Sequence, residues 1–457
     1  MLLVKKCFLI AAVLIVALFV SAVADAFETS TERNKSGAYP EMAKSEFWIA
    51  RTPNAAKLVM QSGEITSFSE NITKKEGTFC QDVLTYPEII SKDVLLKNIA
   101  AYSFPKGKRY NGNKLVSAEY YVQLAKKLNL DEIQELNIAK YGYIVKNTAL
   151  RAFPTDDVSY TDPGDTEFDM NMESTVKIWD EVLILHASTH KNWPFLITKH
   201  CSGWARAAHV AVADRKTLAA YRKKPFVVIT GNRVIPDVNH LAPQNGRPEL
   251  MMGTQLPLTE GAAVIDGVST EYAYVVSLPM RNEDGTFSET AIRLPFNADI
   301  SIGYLPYTKE NVIKQAFKVL GERYGWGGMW NARDCSSFIA DVYQTFGILL
   351  PRNSSAQAKA GSVTYDTSEM IDGEKLVLLQ QQPAGTIIYF RGHVMMYLGS
   401  VRGVPYVIHD SYSYGESGKG GSDGRMTVNC VVVSDLNVTR KDGSTFLSNI
   451  KTLVQIK

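Results

Sequence analysis

In the last third of the sequence, the spacing of apolar residues changes from a helical period to an alternating one. A cysteine lies where the second of two predicted helices begins. A first helix is predicted after Thr308, which can cap it. The second runs from Cys335 to Phe346, with Gly347 as its stop. After Pro383 only strands are predicted, at 386–390, 393–398 and 406–408. Helices followed by antiparallel strands predict an α+β domain.

Two of these strands carry a histidine, His393 and His409. Asp334 can cap the second helix, and a thiol in the first turn of a helix beside an imidazolium is expected to have a lowered pKa. The two imidazoles can be neighbours, with His393 as general base and His409 orienting it. Asp410 could orient it instead, although alternation turns its side chain to the other face. This arrangement is what a papain-like cysteine hydrolase needs.

Plainer interpretations exist for the same residues. A buried cysteine is usually a small core residue, and a lone histidine is usually a structural hydrogen-bonding group. Cys335, His393 and His409 could also be zinc ligands. Their spacing lacks the close ligand pairs of zinc sites, and a metal would not use the helix start. We therefore predict neither a metal nor another cofactor.

The N-terminus has the pattern of a secretory signal peptide. Lys5 and Lys6 precede an apolar stretch at 8–20, and a small-x-small cleavage pattern ends at Ala26. An uncleaved anchor is the alternative, and Cys7 lies on the wrong side of the apolar stretch for a lipoprotein. The prediction is export, to the periplasm or to the cell wall and medium, with residues 1–26 removed. No second stretch has the ~20 apolar residues of a membrane span.

Export affects how the remaining cysteines are interpreted. Cys80, Cys201, Cys335 and Cys430 follow the cleavage site. Four cysteines in an oxidising compartment could form two disulfides. If Cys335 is a nucleophile it stays free, and at most one bridge forms among the other three. The sequence does not identify the pair.

A chain of 457 residues favours two to four domains, and its net charge of +2 gives no electrostatic case for nucleic-acid binding. Residues 27–140 mix helical and extended patterns, including a helix within 117–130, and predict a structural or docking domain. Short strands separated by turn residues predict two small β-barrels at 141–222 and 223–305. Residues 306–457 form the α+β domain. We expect a monomer.

The C-terminal domain resembles the NlpC/P60 family of cell-wall cysteine peptidases. Five segments carry this resemblance in order: Tyr324-Gly-Trp-Gly-Gly328, Asp334-Cys-Ser-Ser-Phe338, Pro351-Arg-Asn-Ser-Ser355, Gly392-His-Val394 and Ile408-His-Asp410. The upstream part is similar to members with bacterial SH3-like (SH3b) modules and an N-terminal stabilising domain. The segments for this part are 151–156, 168–174 and Gly203-Trp204. Relatives often have an aromatic residue just before that Gly-Trp, where this chain has His200-Cys201-Ser202.

The resemblance implies hydrolysis of the γ-D-glutamyl–diamino acid bond in peptidoglycan stem peptides. It implies a papain-like domain with Cys335 as nucleophile, His393 as base and His409 as third residue. Tyr324 would lie near the oxyanion, and Asp334 would bind the free amine of the substrate's L-Ala. Ser336 and Ser354 would line the substrate, and Glu173 would be a further partner of the amine.

Two other functions fit the same modules. SH3b domains also bind cell wall, so the chain could be a wall-binding protein with a degenerate catalytic domain. Related domains act as amidases or acyltransferases. The intact Cys/His/His set argues against the first, and Asp334 with the tandem barrels favours the peptidase over the second.

Overall fold

A computed structural model describes residues 33–237, 247–415 and 425–457. The predicted signal peptide, including Cys7, lies outside the described residues. Within those ranges, no helix combines the length and the apolar character needed to cross a bilayer. The cysteines at positions 80, 201, 335 and 430 are all unbridged.

The residues before 140 form short helices and strands. The helices are α1 (Ser45–Ile49), α2 (Ser62–Lys74), α3 (Lys92–Ile99) and α4 (Ala118–Lys127). The strands are β1 (Ile89–Ser91), β2 (Tyr110–Asn111), β3 (Lys114–Leu115) and β4 (Leu136–Ile138). The predicted helix within 117–130 is confirmed as α4, and the Ser117 hydroxyl caps it by accepting from the Tyr120 N–H.

This N-terminal region contributes to two different hydrophobic cores. Buried residues between 38 and 80, such as Trp48 and Ile72, pack with the C-terminal helices. Buried residues from 83 onwards, such as Leu95 and Leu124, pack with the β-rich middle of the chain. The region therefore connects the other parts of the molecule. The predicted boundary near residue 140 stays a prediction.

The first β-rich stretch forms one seven-stranded sheet in the order β11-β5-β8-β9-β10-β6-β7. Its strands are β5 (Lys140–Ile144), β6 (Thr148–Arg151), β7 (Met172–Val176), β8 (Glu181–Ala187), β9 (Pro194–Ile197), β10 (Ser202–Trp204) and β11 (Val210–Ala213). On β7, buried and half-buried residues alternate, which leaves one face for the core and one for a neighbour. Helix α5 (Arg215–Tyr221) follows this sheet.

The second β-rich stretch has a three-stranded sheet, β15-β12-β20, and several two-stranded ribbons. Its strands are β12 (Phe226–Ile229), β13 (Arg233–Val234), β14 (Leu250–Met251), β15 (Gln255–Pro257), β16 (Val264–Ile265), β17 (Val268–Ser269), β18 (Ala273–Arg281), β19 (Phe287–Pro295) and β20 (Ile300–Ile302). Residues 282–286 connect β18 to β19. Val227 and Leu294 share the core of the first sheet, so the two stretches pack as a unit.

The C-terminal part places helices against a six-stranded sheet in the order β21-β26-β22-β23-β24-β25. The helices are α6 (Lys309–Phe317), α7 (Cys335–Gln344), α8 (Ser354–Gln357), α9 (Asp372–Gln380) and α10 (Phe446–Asn449). The strands are β21 (Val363–Asp366), β22 (Ile387–Phe390), β23 (His393–Val401), β24 (Val404–Gly415), β25 (Arg425–Asp435) and β26 (Thr452–Gln455). This is the predicted α+β arrangement. The expectation of strands alone after Pro383 is wrong, since the single turn of α10 intervenes.

Candidate active site

Cys335 is the first residue of α7, and the chain's own polar groups fix that position. The Asp334 carboxylate accepts from the Ser337 N–H at 2.9 Å, while the Ser337 hydroxyl accepts from the Asp334 N–H at 2.9 Å. Such a capping box satisfies two of the helix's unpaired donors. Phe338, Ile339 and Val342 are fully buried under the helix, so α7 is held against the sheet with its N-terminus beside β23.

His393 and His409 lie together, one strand apart. Gly392, with a φ of +87°, makes the tight turn from which β23 starts at His393. Strand β24 runs antiparallel to β23, and the two rings meet as diagonal neighbours. His393 Nε2 lies 2.7 Å from His409 Nδ1.

The hydrogen bonds around the rings are compatible with a pair of tautomers that leaves one ring nitrogen of His393 free to act as a base. His409 Nε2 lies 3.0 Å from the Ser434 hydroxyl and 3.1 Å from the Tyr414 hydroxyl. If His409 keeps its proton on Nε2, its Nδ1 accepts from the His393 Nε2–H. His393 Nδ1 is then left without a proton and free to take one. The arrangement therefore suits a base that is oriented by a neutral second imidazole.

Burial keeps the thiol and both imidazoles uncharged in the free protein. Burial raises the pKa of the Cys335 thiol to about 12, and the Asp334 carboxylate adds to this, while the Val394 N–H that bonds the sulfur opposes it. Burial also lowers the pKa of His393 to about 3 and holds that of His409 well below its usual value. The expectation of a lowered thiol pKa is therefore wrong, because desolvation outweighs the helix start.

Asp334 is not a free anion in this structure. Its two oxygens accept from Arg352 at 3.1 and 2.6 Å, and one also accepts from the Ser336 hydroxyl at 3.1 Å. Burial alone would raise the pKa of Asp334, but the Arg352 guanidinium holds it below its ordinary value. The Arg352 side chain also contacts β7, because its Nε donates to the Ser174 hydroxyl at 2.9 Å. The pair thus connects the helix start to the first β-sheet.

Glu173 stands next to Ser174 on β7 and has no such partner. Among the described residues, its carboxylate makes no hydrogen bond and no ion pair. Burial raises the pKa of Glu173 to about 7, against the opposing charge of Arg352. A half-buried carboxylate beside a cation that is already paired is suited to receive a second cation.

The other predicted residues surround the same helix start. Tyr324 is 7% exposed, and burial raises the pKa of its phenol well above its usual value, so it stays a hydrogen-bond donor. The Ser336 hydroxyl accepts from Arg352 at 3.0 Å. Ser354 is half-buried at the start of α8. The structure therefore brings all the predicted residues to one region.

The first β-sheet forms one wall of this region. Gly327 and Gly328 have positive φ angles and lie so close to β7 that a Cβ on either would meet its backbone within 2.7 Å. Phe168 packs edge-on against Tyr412 at 4.6 Å and against Trp326 at 5.4 Å. These contacts hold the first β-sheet against the glycine-rich segment that precedes α7 and against β24. The sequence did not predict the contacts of Phe168 with the catalytic domain or the ion pair of Arg352 with Asp334.

Asp410 is fully buried, and neither carboxyl oxygen has a hydrogen-bond partner. Burial holds its pKa well above the usual value, and the nearby charges of Asp334 and Glu322 act in the same direction. It does not contact His393, unlike the neighbouring His409. Within the described chain, no group of three or more histidine, cysteine or acidic side chains is arranged to hold a metal ion.

Two regions of the chain match models of known protein families. Residues 321–421 match the model of the NlpC/P60 family, and residues 159–206 match that of an SH3 domain of the SH3b1 type. The chain is thus a multidomain protein with an NlpC/P60 peptidase-family domain and an SH3b domain. Its fold is similar to that of an NlpC/P60 endopeptidase from Photobacterium damselae subsp. piscicida, with a TM-score of 0.71 and 19% identity over 87% of this chain and 94% of the other.

Two relatives are named gamma-D-glutamyl-L-lysine dipeptidyl-peptidase. The protein from Bacillus cereus (strain ATCC 10987 / NRS 248) is 25% identical over 48% of this chain and 59% of its own length. The protein from Bacillus subtilis (strain 168) is 29% identical over 28% of this chain and 44% of its own length. The matches therefore span about half of these relatives.

Proposed function

We propose that this protein is an exported cysteine endopeptidase that hydrolyses the γ-D-glutamyl–diamino acid bond of peptidoglycan stem peptides with a free N-terminal L-Ala. The observation that carries the proposal is the hydrogen-bonded His393–His409 pair beside Cys335 at a helix start. The names of the two Bacillus relatives support this choice of bond. The diamino acid itself, lysine or diaminopimelate, is left open.

The proposed reaction starts from the uncharged pair. Cys335 Sγ attacks the γ-carbonyl carbon of D-Glu while His393 Nδ1 takes the thiol proton. The imidazolium is stabilised by its Nε2–H bond to His409. Collapse of the tetrahedral intermediate breaks the C–N bond, and His393 returns the proton to the leaving amine. Water then attacks the thioester with His393 again as base, which releases the L-Ala-D-Glu product and restores the thiol.

Tyr324 would donate a hydrogen bond to the developing oxyanion, because its phenol keeps its proton. Ser336 and Ser354 would line the substrate. At the amine end, Glu173 offers an unpaired carboxylate, whereas Asp334 shares its charge with Arg352. We therefore assign the main contact with the substrate ammonium to Glu173. Asp334 would add its charge and hold α7 and Arg352 in place.

The proposal is tested by incubating the protein with L-Ala-γ-D-Glu-diaminopimelate and its lysine analogue and analysing the products by mass. Release of L-Ala-D-Glu together with the free diamino acid supports it. In parallel incubations with muropeptides, cleavage of the amide between sugar and stem would identify an amidase, and transfer of the stem peptide to an added amine would identify an acyltransferase. Wall binding without turnover of any substrate would favour the wall-binding alternative.

A further inference from the structure

We infer that Arg233, on the second β-rich stretch, is a positioning residue for catalysis, because it holds the loop that carries Tyr324 beside the start of α7. This inference rests on the proposed function. It gives the second β-rich stretch a part in the reaction itself rather than in wall binding.

The glycine-rich loop, residues 322–333, leads from the end of the α6 region to α7 and carries Tyr324 near its beginning. Its two ends meet, because Tyr324 and Arg333 pair as a parallel bridge and the Gly325 N–H donates to the Arg333 carbonyl at 2.6 Å. Since Arg333 lies two residues before Cys335, this pairing places Tyr324 alongside the start of α7. The position of the Tyr324 phenol therefore depends on the conformation of the glycine-rich loop.

The backbone of this loop needs support from outside. Trp330 and Asn331 are consecutive residues with φ angles of +59° and +56°. Residues with side chains rarely adopt this left-handed conformation, and it persists where surrounding contacts hold it. Trp330 is 51% exposed, so burial in a core does not supply that support.

Two side chains of the second β-rich stretch hold this part of the loop. Arg233 lies on β13, and Glu249 directly precedes β14, which pairs with β13. Arg233 Nη2 donates to the Asn331 carbonyl at 3.0 Å, and Asn331 Nδ2 donates to the Glu249 carboxylate at 3.0 Å. Arg233 Nη1 closes the ring by donating to Glu249 at 3.2 Å. Both the backbone and the side chain of Asn331 are therefore held.

Arg233 also contacts the first residue of the loop. Its Nη2 donates to Glu322 at 3.0 Å, and Glu322 is in turn paired with Arg333. The side chains of Glu322 and Arg333 are 8% and 1% exposed, so these charges are shielded from water and depend on their partners. Arg233 thus joins Glu322 to Asn331, and its removal releases the loop at both places.

Loss of Arg233 should therefore displace Tyr324 more than the thiol. Cys335 is held separately, by the capping box of α7 and by the apolar face of that helix. A donor to an oxyanion must lie at a well-defined distance from the developing charge, so a small displacement of Tyr324 slows the chemical step. Substrate binding before that step does not depend on this donor.

The test measures kcat and KM for L-Ala-γ-D-Glu-diaminopimelate in Arg233→Met, in Tyr324→Phe and in the double variant. We expect kcat of Arg233→Met to fall about ten- to hundred-fold, with KM changed by less than about three-fold, the pattern of a group that acts in the transition state. In the Tyr324→Phe background, Arg233→Met should lower kcat by less than about three-fold, because residues that act through one another are not additive. Iodoacetamide should label Cys335 at the parental rate.

Lys318→Met is the matched control, because Lys318 also connects the catalytic domain to the second β-rich stretch. Its Nζ donates to Asp299 at 2.6 Å and to the Thr230 carbonyl at 3.1 Å, outside the glycine-rich loop, and kcat should stay at the parental value. Arg233→Lys is a second variant in case Arg233→Met does not fold. It keeps the charge but lacks the planar fork of donors, so it should show the same pattern with a smaller loss.

Three results would overturn the inference: losses that multiply in the double variant, an equal fall of kcat in Lys318→Met, or faster labelling of Cys335 in Arg233→Met. Each would mean that Arg233 braces the catalytic domain without acting through Tyr324. Parental kcat in both Arg233 variants would overturn it as well. If the parent protein does not hydrolyse the tripeptide, the proposed function fails instead, so the two failures are distinguishable.

Discussion

Replacement of Glu173 by glutamine is expected to remove most of the preference for a free amine. The carboxylate is half-buried and unpaired, so its contact with an ammonium is a charge-assisted hydrogen bond worth about 1.5–3 kcal/mol. Because Glu173 is only half-buried and the Arg352 charge acts on it, we take the lower half of this range. The expected loss in kcat/KM on the free tripeptide is then about 10- to 50-fold, at 1.4 kcal/mol per factor of ten.

The pH dependence gives a sharper test of the same residue. Glu173 in the free protein has a pKa of about 7, so below pH 7 it becomes protonated and loses its charge. The substrate amine, with a reference pKa of about 7.7–8.0, loses its charge above that range. The kcat/KM for the free tripeptide should therefore peak between pH 7 and 8. The acidic limb should be absent in Glu173→Gln, which cannot be protonated.

The assay follows diaminopimelate release from free and N-acetylated tripeptide between pH 5 and 9. Glu181→Gln is the control, since Glu181 lies on the same sheet but is paired with Arg222. It should retain the acidic limb. An unchanged acidic limb in Glu173→Gln, or equal losses on both substrates, would refute the assignment of Glu173 to the amine.

Other changes probe the rest of the site. His393→Ala should lower kcat more than His409→Ala in steady-state assays, because the base transfers the proton and its neighbour only orients it; equal small losses would contradict these roles. Iodoacetamide labelling of Cys335 should stay slow up to about pH 10, since burial raises its thiol pKa, whereas fast labelling at pH 7 would show a thiolate. Asp334→Asn should lower the free energy of unfolding by about 3–5 kcal/mol in urea melts, since it leaves Arg352 buried without its counter-charge. Asp410→Asn should raise the melting temperature, increasingly as the pH rises above the unfolded value of about 3.9, because a carboxyl whose pKa is raised in the fold costs stability there. A lower Tm at every pH would contradict the raised pKa.

The elements that carry the catalytic residues could be predicted because their signals are local. Asp334 as N-cap, the apolar face of α7 and the alternation around His393 and His409 each lie within a short stretch of sequence. Short strands separated by turn residues also indicated that 141–222 and 223–305 are β-rich. The single turn of α10 was missed because four residues show no period.

The features that set the chemistry of the site depend on packing between distant segments. The Asp334–Arg352 pair and the unpaired Glu173 bring together residues from three parts of the chain. No local pattern indicates that the Asp334 carboxylate is paired with Arg352. For this reason, the prediction from sequence made Asp334 the partner of the substrate amine. For the same reason, the thiol pKa could not be predicted, because its direction depends on how deeply the fold buries Cys335.

The central claim is that Cys335 attacks the γ-D-glutamyl bond, and trapping the covalent intermediate tests it most directly. Wild-type protein is mixed with L-Ala-γ-D-Glu-diaminopimelate, quenched in acid within the first turnover and analysed by intact mass and peptide mapping. We predict a mass increase of one L-Ala-D-Glu acyl group on Cys335, followed by release of L-Ala-D-Glu. The mass increase should be absent in Cys335→Ala. Turnover by Cys335→Ala, or an acyl group on another residue, would contradict it.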